Sequence, residues 1–455
     1  MSSSAVIPRS AEHGLAREVA RIAWPAIAQS LLQTAVFLVD RAMLGHHGSV
    51  SLASMQISGP YVWTLTGVMG ALQIGAVAVV GREVGRARES PALSDAPAAA
   101  RGAILAALGL GVLGAVLAVV TLESVLGAFA HAGPAVVDAA RSYLGVTLPA
   151  LPLFLIASMA ASVHQAAGDT RTPLVVTAFI NVIHLGLGAV LVFGYLGMPS
   201  LGARGAAIAS VVSIAIEAVL LLGALMRRDR AISIRGRGRE LTALARMARV
   251  ASPVVLERVA IHAGYFGYVW MIATLGGLAM AGNQALVSIE SVCFLSADGF
   301  GIAAAAIVAQ RLGAGHPSEA RSAAILAMRM SIALLSSAGI VFALAPDLLT
   351  RLFSSDPAVA AVAAPALVVT ACAQPFMASA TVLGEAMRGA GATRSTLAVS
   401  LVCGVGVRLA VTAFAAFTLD LGLTGVWIGS TVDWMARTVL FALLFLRGRW
   451  QHERV

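Results

Sequence analysis

The sequence predicts an all-α polytopic membrane protein, with twelve transmembrane helices in two parallel six-helix lobes around a central cleft. Three observations support this fold class. Of the 455 residues, 59% are hydrophobic and only 12% are charged, proportions that soluble domains rarely have. A membrane-spanning helix takes about 20 mostly apolar residues, and the chain contains twelve such stretches. The second half of the chain also repeats the first.

The apolar stretches define the predicted spans and regions. The spans cover residues 22–44, 55–80, 102–122, 136–163, 172–195, 203–225, 250–274, 278–309, 322–346, 360–387, 395–419 and 423–446. They form an N-terminal lobe (22–225) and a C-terminal lobe (250–446), which a basic connector (226–249) joins. Residues 1–21 and 447–455 are predicted to be tails. The first apolar run is longer than a signal-peptide core, so no cleaved signal is expected.

The arginines predict the orientation. All 31 basic residues are Arg, and 23 of them lie in the tails and in the loops that follow even-numbered spans. The four on the opposite side are Arg41, Arg141, Arg204 and Arg351. Because Arg is enriched in cytoplasmic loops, both termini are predicted to be cytoplasmic, with the protein in the inner (plasma) membrane. This topology explains the net charge, so no nucleic-acid partner is expected. The connector is expected to touch anionic lipid.

The two halves match at nearly constant spacing. The matches are Pro25 with Pro253, Gly48 with Gly276 and Gln56 with Gln284, each 228 residues apart; Arg171 with Arg394, 223 apart; and LGARGAAIAS (201–210) with LGLTGVWIGS (421–430), 220 apart. Each copy holds an even number of spans, so both copies enter the membrane from the same side. In transporters with parallel repeats, the substrate site lies at the interface between the repeats.

Several motifs carry a family resemblance. They are LVDRAMLGHHGSVSLASMQIS (38–58), GDTRTP (168–173), LGARGAAIAS, GAGATR (389–394) and GVWIGS. In this order and repetition they resemble the multidrug and toxic compound extrusion (MATE) family, and LSADGFGIAAAAIVAQRLGAG (295–315) is similar to its DinF-like branch. The resemblance implies an antiporter that exports small organic compounds in exchange for protons or sodium by alternating access. It implies an ion gradient and no cofactor.

Asp40 is the principal candidate for ion coupling. An ionisable residue within a span is costly unless it faces a cavity or a partner, so it indicates function. The resemblance implies that the coupling carboxylate is Asp40, and Pro25 is expected to bend the same helix. At the 228-residue offset the counterpart of Asp40 is Tyr268, so we expect coupling in the N-terminal lobe. That Asp40 merely pairs with Arg41 or marks the extracellular interface remains an alternative here.

The fifth span departs from the family pattern. Where the family often has N-x-x-N-x-x-x-D, this chain has NVIHLGLG, so Asn181 is kept, His184 replaces the second Asn and Gly188 replaces the Asp. A sodium site built from oxygen ligands would lose two of them, whereas imidazole titrates near neutral pH. We therefore predict proton coupling through Asp40 and His184, supported by Asn181 and by Ser210, which stands where the family has Thr. That His184 is a hydrogen-bonded core residue remains the alternative.

Further residues are candidates for the wall of a substrate cavity, with ordinary packing as the alternative. They are Gln33, Trp63, Phe154, Phe266, Glu290, Asp298 and Met377. Arg408 is expected to neutralise one of the intramembrane acids, and Glu385 and Arg388 are expected to extend towards the cytoplasmic surface.

Two acids have a basic residue nearby in the sequence. Glu257 is followed by Arg258, and Asp433 precedes Arg437 by four residues, which places the latter two on one helix face. Both are predicted to be structural ion pairs.

Other function classes have little support in the sequence. The motifs HExxH, GxxxxGK[ST] and GxSxG are absent, so no enzyme activity is predicted. The three cysteines lack the spacing of a metal site, and none is predicted. The main alternative is a flippase for lipid-linked or polysaccharide intermediates, whose cavity would need arginines for phosphate. Because intramembrane acids outnumber intramembrane arginines, export of cationic or neutral amphipathic compounds is favoured. The protein is expected to be a monomer.

Overall fold

The computed structural model describes residues 9–90, 94–129, 133–227, 234, 239–353 and 356–453. All regular structure in these ranges is helical, which confirms the all-α prediction. Lipid offers no hydrogen bonds to the backbone, and a helix satisfies its own N–H and C=O groups within one segment. The basic connector lies partly outside the described residues, including Arg228, Arg230, Arg235 and Arg237.

The described residues of the first half form eight α-helices. They are α1 (Arg9–His47), α2 (Ser49–Met69), α3 (Ala71–Glu89), α4 (Ala96–Ala128), α5 (Pro134–Thr147), α6 (Leu151–Ala166), α7 (Arg171–Phe193) and α8 (Gly202–Leu225). The second predicted span is divided into α2 and α3 at Gly70, and the fourth into α5 and α6 by a 3₁₀ turn, Leu148–Ala150. Pro149 and Pro152 lack backbone N–H donors, which favours such an interruption.

The second half also contains eight α-helices. They are α9 (Glu240–Thr274), α10 (Gly277–Gly313), α11 (Pro317–Leu344), α12 (Pro346–Phe353), α13 (Pro357–Gly389), α14 (Thr393–Ser400), α15 (Arg408–Ala413) and α16 (Gly422–Leu446). Two π-helical stretches, Leu401–Val407 and Phe414–Thr418, flank α15 and complete the eleventh span. Such stretches are rare in helices and are frequent at functional sites.

Twelve helical segments correspond to the twelve predicted spans. Among the described residues, eleven are long and apolar enough to cross a membrane. The twelfth is α9, with 35 residues, whose apolar part contains Glu257 and Arg258. These charges lower its mean hydropathy, although its length and position match the seventh predicted span.

The repeat extends to the backbone conformation. Gly168 and Gly391, 223 residues apart, have φ of 84° and 88°, and Gly202 and Gly422, 220 apart, have φ of 51° and 52°. A left-handed conformation is costly for residues with a Cβ atom, so glycine is required at the same turns in both copies. The predicted duplication is thus confirmed at the level of turn geometry.

The chain divides into two compact units. The N-terminal unit is Ala28–Ala251, and the C-terminal unit consists of the chain up to Ile27 and from Ser252 onwards. The boundaries fall inside α1 and α9, whereas the sequence placed the lobe starts at residues 22 and 250. The start of α1 belongs to the C-terminal unit because Val19, Ile22 and Ala23 are buried in its apolar core.

An ion pair holds the start of a long helix in each unit. In the C-terminal unit, Arg311 of α10 donates to Glu18 of α1 at 2.7 Å. In the N-terminal unit, Arg246 of α9 donates to the fully buried Glu83 of α3 at 2.8 Å. Glu18 and Arg246 are 228 residues apart, as are Glu83 and Arg311. The two pairs are therefore equivalent in the repeat, but the acid and the arginine have exchanged places.

Candidate functional site

Asp40 and His184 form the central contact of the candidate site. Nε2 of His184 on α7 lies 2.8 Å and 2.9 Å from the two carboxylate oxygens of Asp40 on α1. The His184 side chain is 8% exposed and that of Asp40 is 25% exposed. The imidazole also has a backbone hydrogen bond to Ala209 of α8. Two residues that are 144 positions apart thus form one carboxylate–imidazole pair inside the N-terminal unit.

A small cavity adjoins this pair. Its volume is about 50 Å³, which is room for a water molecule or a few. Asp40, Arg41, Tyr143 and Ser210 are among its lining residues, and the Ser210 hydroxyl donates to the backbone O of Ala206 at 3.0 Å. Asp40 therefore borders a cavity as well as contacting His184.

Arg41 and Tyr143 are site residues that the sequence analysis did not select. The Arg41 guanidinium lies 4.1 Å from the centroid of the Phe37 ring, and it forms no ion pair with Asp40 among the described contacts. Tyr143, on α5, interacts electrostatically with Asp40. Tyr143 follows Asp138, Arg141 and Ser142 on α5, so its sequence surroundings gave no signal. The alternative in which Asp40 merely pairs with Arg41 has no support in this geometry.

The residues around His184 explain the departure from the family pattern. Asn181 lies almost one turn before His184 on α7, and its Nδ2 atom is buried without a hydrogen-bond partner. A Cβ atom on Gly188 would lie 3.1 Å from the terminal methyl group of Met43. Met43 thus lies against α7 at Gly188, the position where the family pattern has Asp.

The residues predicted to line a substrate cavity lie in different environments. Gln33, Trp63 and Phe266 are exposed, and Phe154, Glu290 and Asp298 are partly buried. Met377 differs from the prediction, since it is 0% exposed within the apolar core of the C-terminal unit. In this conformation its flexible side chain fills the core. Pro25 lies within α1, which continues through it, and the bend itself stays a prediction.

Arg388 neutralises two acids of the C-terminal unit. It lies 2.5 Å from Glu257 and 2.6 Å from Glu385. The prediction that Glu385 and Arg388 extend to the surface was wrong, because the Arg388 side chain is 15% exposed and turned towards these acids. Glu257 pairs with Arg388 at this distance and not, as predicted, with Arg258 alone.

Asp433 is held between two arginines. Arg437 lies 2.7 Å and Arg408 3.5 Å from its carboxylate. The predicted pair between Asp433 and Arg437 is confirmed, as is the prediction that Arg408 neutralises an acid. Glu290 keeps one buried carboxylate oxygen without a hydrogen-bond partner.

The pair in the N-terminal unit differs in chemistry from the arginine-paired acids of the C-terminal unit. A carboxylate beside an imidazole can hold one additional proton and release it when its surroundings change. Guanidinium groups stay charged throughout the physiological pH range. The acids held by Arg388, Arg408 and Arg437 are thus paired with permanent cations.

Comparison with known proteins gives the same division of the chain. The profile of a family described as MatE matches residues 25–190 and 253–414. The two matched stretches begin at Pro25 and Pro253, which are equivalent in the repeat.

Curated relatives align over nearly the whole chain. A protein named probable multidrug resistance protein NorM, from Thermotoga maritima, is 26% identical over 451 residues, which cover 99% of this chain and 96% of that protein. A protein of the same name from Pseudomonas aeruginosa is 28% identical over 429 residues, covering 91% and 85% of the two chains.

Solved structures share the fold. The crystal structure of a mutant of the Vibrio cholerae MATE transporter VcmN superposes with a TM-score of 0.88 at 17% identity, covering 98% of this chain and 100% of that chain. At such low identity the likeness shows the fold alone.

Proposed function

This chain belongs to the MatE family, and from that premise we propose that it is an antiporter that exports small organic compounds in exchange for protons. It is a multi-pass membrane transporter and not an enzyme. We propose cationic or neutral amphipathic substrates, in keeping with relatives named as multidrug resistance proteins. The DinF-like branch, the monomeric state and the cytoplasmic position of both termini stay predictions.

The contact between Asp40 and His184 carries the proposal. With a neutral imidazole donating to the carboxylate, the pair has a charge of −1, and with one more proton its charge is zero. The unprotonated pair attracts a cation, and protonation removes that attraction. Because a ligand shifts a conformational equilibrium only through its different affinities for the two states, proton and cationic substrate would favour opposite states of the transporter.

Protons fit this pair better than sodium. Sodium is a hard cation that favours oxygen ligands, as calcium and magnesium do. Both carboxylate oxygens of Asp40 lie within hydrogen-bond distance of Nε2 of His184, and a sodium ion would have to displace that contact. The oxygen-bearing residues of the family pattern are replaced by His184 and Gly188. These two replacements support proton coupling.

Transport in proteoliposomes tests the proposal. A fluorescent organic cation is loaded, and export is followed under an imposed pH gradient without sodium, or under a sodium gradient at equal pH. We expect the pH gradient alone to drive export, and Asp40→Asn to reduce this export by about 100-fold.

The matched control is Asp138→Asn, because Asp138 is exposed on α5 and binds Arg141 on the surface. Export by this variant should equal that of the wild type. Export that depends on sodium alone would contradict proton coupling, and wild-type export by Asp40→Asn would contradict the site.

A further inference from the structure

Polar side chains follow one face of each of two neighbouring helices in the N-terminal unit. On α7 they are Thr177, Asn181 and His184, and on α8 they are Ser210, Ser213 and Glu217. Steps of three and four residues place side chains on the same face of a helix. Each helix therefore presents a polar row that begins beside the Asp40–His184 pair and runs along the helix.

Contacts at both ends fix the register of the two rows. Thr177 Oγ1 donates to Glu217 Oε1 at 2.8 Å, and His184 has a hydrogen bond to the backbone of Ala209, next to Ser210. α7 and α8 are antiparallel, since residues early in one contact residues late in the other. The two rows thus meet at three levels, with His184 opposite Ser210, Asn181 opposite Ser213 and Thr177 opposite Glu217.

The middle level has unsatisfied polar atoms. Nδ2 of Asn181 and Oγ of Ser213 are both buried without a hydrogen-bond partner among the described residues. Ser213 is only 4% exposed. Buried polar atoms in proteins nearly always bond to protein or to water, and a water molecule with two to four polar neighbours is the usual solution. This level is suited to a water molecule between Asn181 and Ser213.

A chain of hydrogen bonds surrounds the third level. Gln165 Nε2 donates to Gln29 Oε1 at 3.2 Å, and Gln29 Nε2 donates to Thr177 Oγ1 at 3.2 Å. With the bond from Thr177 to Glu217, every donor points towards the Glu217 carboxylate. Side chains from α1, α6 and α7 thus orient one acidic group on α8, which the sequence analysis did not single out.

We propose that Glu217 is a proton relay group that receives the proton from the Asp40–His184 pair through Ser213 and bound water, since the Ser213 hydroxyl has no direct hydrogen bond to Glu217. The proposal rests on the proton coupling proposed above. Seven residues of helix separate the first and third levels, about 10 Å at 1.5 Å per residue. This distance is too long for a direct transfer, and the hydroxyl and the water divide it into shorter steps.

The proton balance of the relay is simple. The pair loses one proton from Nδ1–H of the imidazolium, so that Nε2–H keeps its bond to Asp40, and the water and the Ser213 hydroxyl each accept one proton and pass one on. The Glu217 carboxylate gains the proton as a carboxylic acid and later releases it on the side of the membrane where α7 begins. The amides of Gln29 and Gln165 do not carry the proton and only hold Thr177 in place.

The charged surroundings leave this role to Glu217. On the part of α1 that packs against α8, the titratable or charged groups are Asp40, Arg41, His46 and His47. On α2, α5, α6 and α7 they are Tyr61, Asp138, Arg141, Tyr143, His164, Arg171 and His184. The closest known contact is that of His164, whose Nε2 lies 3.3 Å from the backbone O of Leu221, one turn beyond Glu217. His164 itself pairs with Asp169 at 3.3 Å. Among the described residues, Glu217 forms no ion pair.

Two transport assays separate a relay role from a structural one. The first measures export driven by a pH gradient, and the second measures exchange of labelled substrate at equal concentrations and pH. We expect Glu217→Gln to lower gradient-driven export by about tenfold or more, while exchange stays within about twofold of wild type, because exchange needs no net proton release. Ser213→Ala should give a smaller loss in the same assay. Glu123→Gln is the matched control, since Glu123 is an exposed acid on α4.

Each outcome supports or overturns the relay. Unchanged gradient-driven export in Glu217→Gln overturns it, and so does an equal loss in both assays, which would indicate a structural role. Wild-type protein that ignores the pH gradient overturns the proposed function together with the relay. If Glu217→Gln does not fold, Glu217→Asp replaces it, because it keeps a carboxyl group at a longer distance from Thr177 and should lose export only in part.

Infrared difference spectra of the wild type at two pH values should also contain a carboxylic acid band that is absent from the Glu217 variant. A band that persists in the variant overturns the proposal.

Discussion

The two units place different chemistry at equivalent positions of the repeat. In the N-terminal unit, Asp40 pairs with His184. Their counterparts at offsets of 228 and 223 are Tyr268 and Val407, and Arg408, the residue after Val407, lies 5.1 Å from the centroid of the Tyr268 ring. A carboxylate–imidazole pair changes its charge near neutral pH, whereas a phenol and a guanidinium keep theirs.

This difference teaches how a duplicated architecture can serve two purposes. The acids Glu257, Glu385 and Asp433 of the C-terminal unit are all held by arginines. Such pairs keep a constant charge and connect helices that are distant in sequence. These three acids of the C-terminal unit are thus electrostatically fixed, whereas the partner of Asp40 in the N-terminal unit is an imidazole, which can gain or lose a proton.

The largest effect is expected from Arg388→Met. This change leaves Glu257 and Glu385 without their common cation, and breaking a buried pair on one side costs about 3–5 kcal/mol. We expect thermal unfolding of the purified protein in detergent to occur at a clearly lower temperature. Arg141→Met is the matched control, because Arg141 binds two acids on the surface, where ion pairs contribute little. A wild-type melting temperature for Arg388→Met would remove the contrast between the units.

A larger side chain at equivalent glycines should destabilise both units by similar amounts. A Cβ atom on Gly205 would lie 2.5 Å from the backbone O of Leu191, and one on Gly425 would lie 2.5 Å from the backbone C of Ala415. These glycines are equivalent in the repeat, and overpacking costs about 1–3 kcal/mol. We expect Gly205→Ala and Gly425→Ala to lower the melting temperature by similar amounts.

Gly223→Ala is the control for both changes. No atom lies within 4 Å of a Cβ atom at this position, and alanine favours helix more than glycine does. Its melting temperature should be unchanged or slightly higher. Strongly unequal effects at positions 205 and 425 would show that the two copies do not share their packing.

The variant His184→Arg removes the chemical difference between the ion pairs of the two units. The variant gives the N-terminal pair the permanent cation found in the C-terminal unit. We expect export driven by a pH gradient to fall by about tenfold, equal to about 1.4 kcal/mol, because the pair can no longer alternate between charge states. His184→Gln, which keeps a donor to Asp40, is the comparison and should leave a residual response through Asp40. Unchanged pH dependence in His184→Arg would exclude His184 from coupling.

The smallest effect concerns Asp169, whose counterpart in the repeat is Ala392. Burial raises the pKa of this carboxyl. Hydrogen bonds from His164 and Thr172 lower the pKa by more than burial raises it, so the net shift is downward. A lowered pKa in the folded state means that the carboxylate stabilises the fold above its unfolded pKa of about 4. This contribution is lost as the pH falls through the folded value.

Asp169→Asn should therefore cost about 1 kcal/mol near neutral pH, the value of an ordinary hydrogen bond. The difference in melting temperature from wild type should stay constant around pH 7 and shrink below about pH 4. Asp138→Asn, at an exposed acid, is the control. A difference that grows on acidification would contradict the downward shift.

Much of the fold could be predicted because span hydropathy is averaged over many residues. The order of the spans and the repeat came from such averages and from matching glycines and prolines. The interruption at Gly70 and the π-helical stretches around Arg408 could not be predicted, because they depend on hydrogen bonds within a single turn. The assignment of Val19 and Ile22 to the C-terminal unit depends on tertiary packing and has no local signal.

The candidate site was predictable only in part. The departure of the fifth span from the family pattern suggested that Asp40 and His184 act together, and the structure places them in contact. Glu217 was missed because its orientation comes from Gln29, Thr177 and Gln165 on three other helices. Arg388 was misjudged for a similar reason, since its main partner, Glu257, is 131 residues away.

The reversed ion pairs at the helix starts have a consequence for how a duplicated chain assembles. A chain with two similar halves offers each helix start two similar places to dock. Glu18 meets Arg311 in the C-terminal unit, but at the equivalent place in the N-terminal unit it would meet Glu83, a charge of the same sign. Arg246 at the wrong place would likewise meet Arg311. Repulsion between like charges thus disfavours an exchange of the two segments between the units.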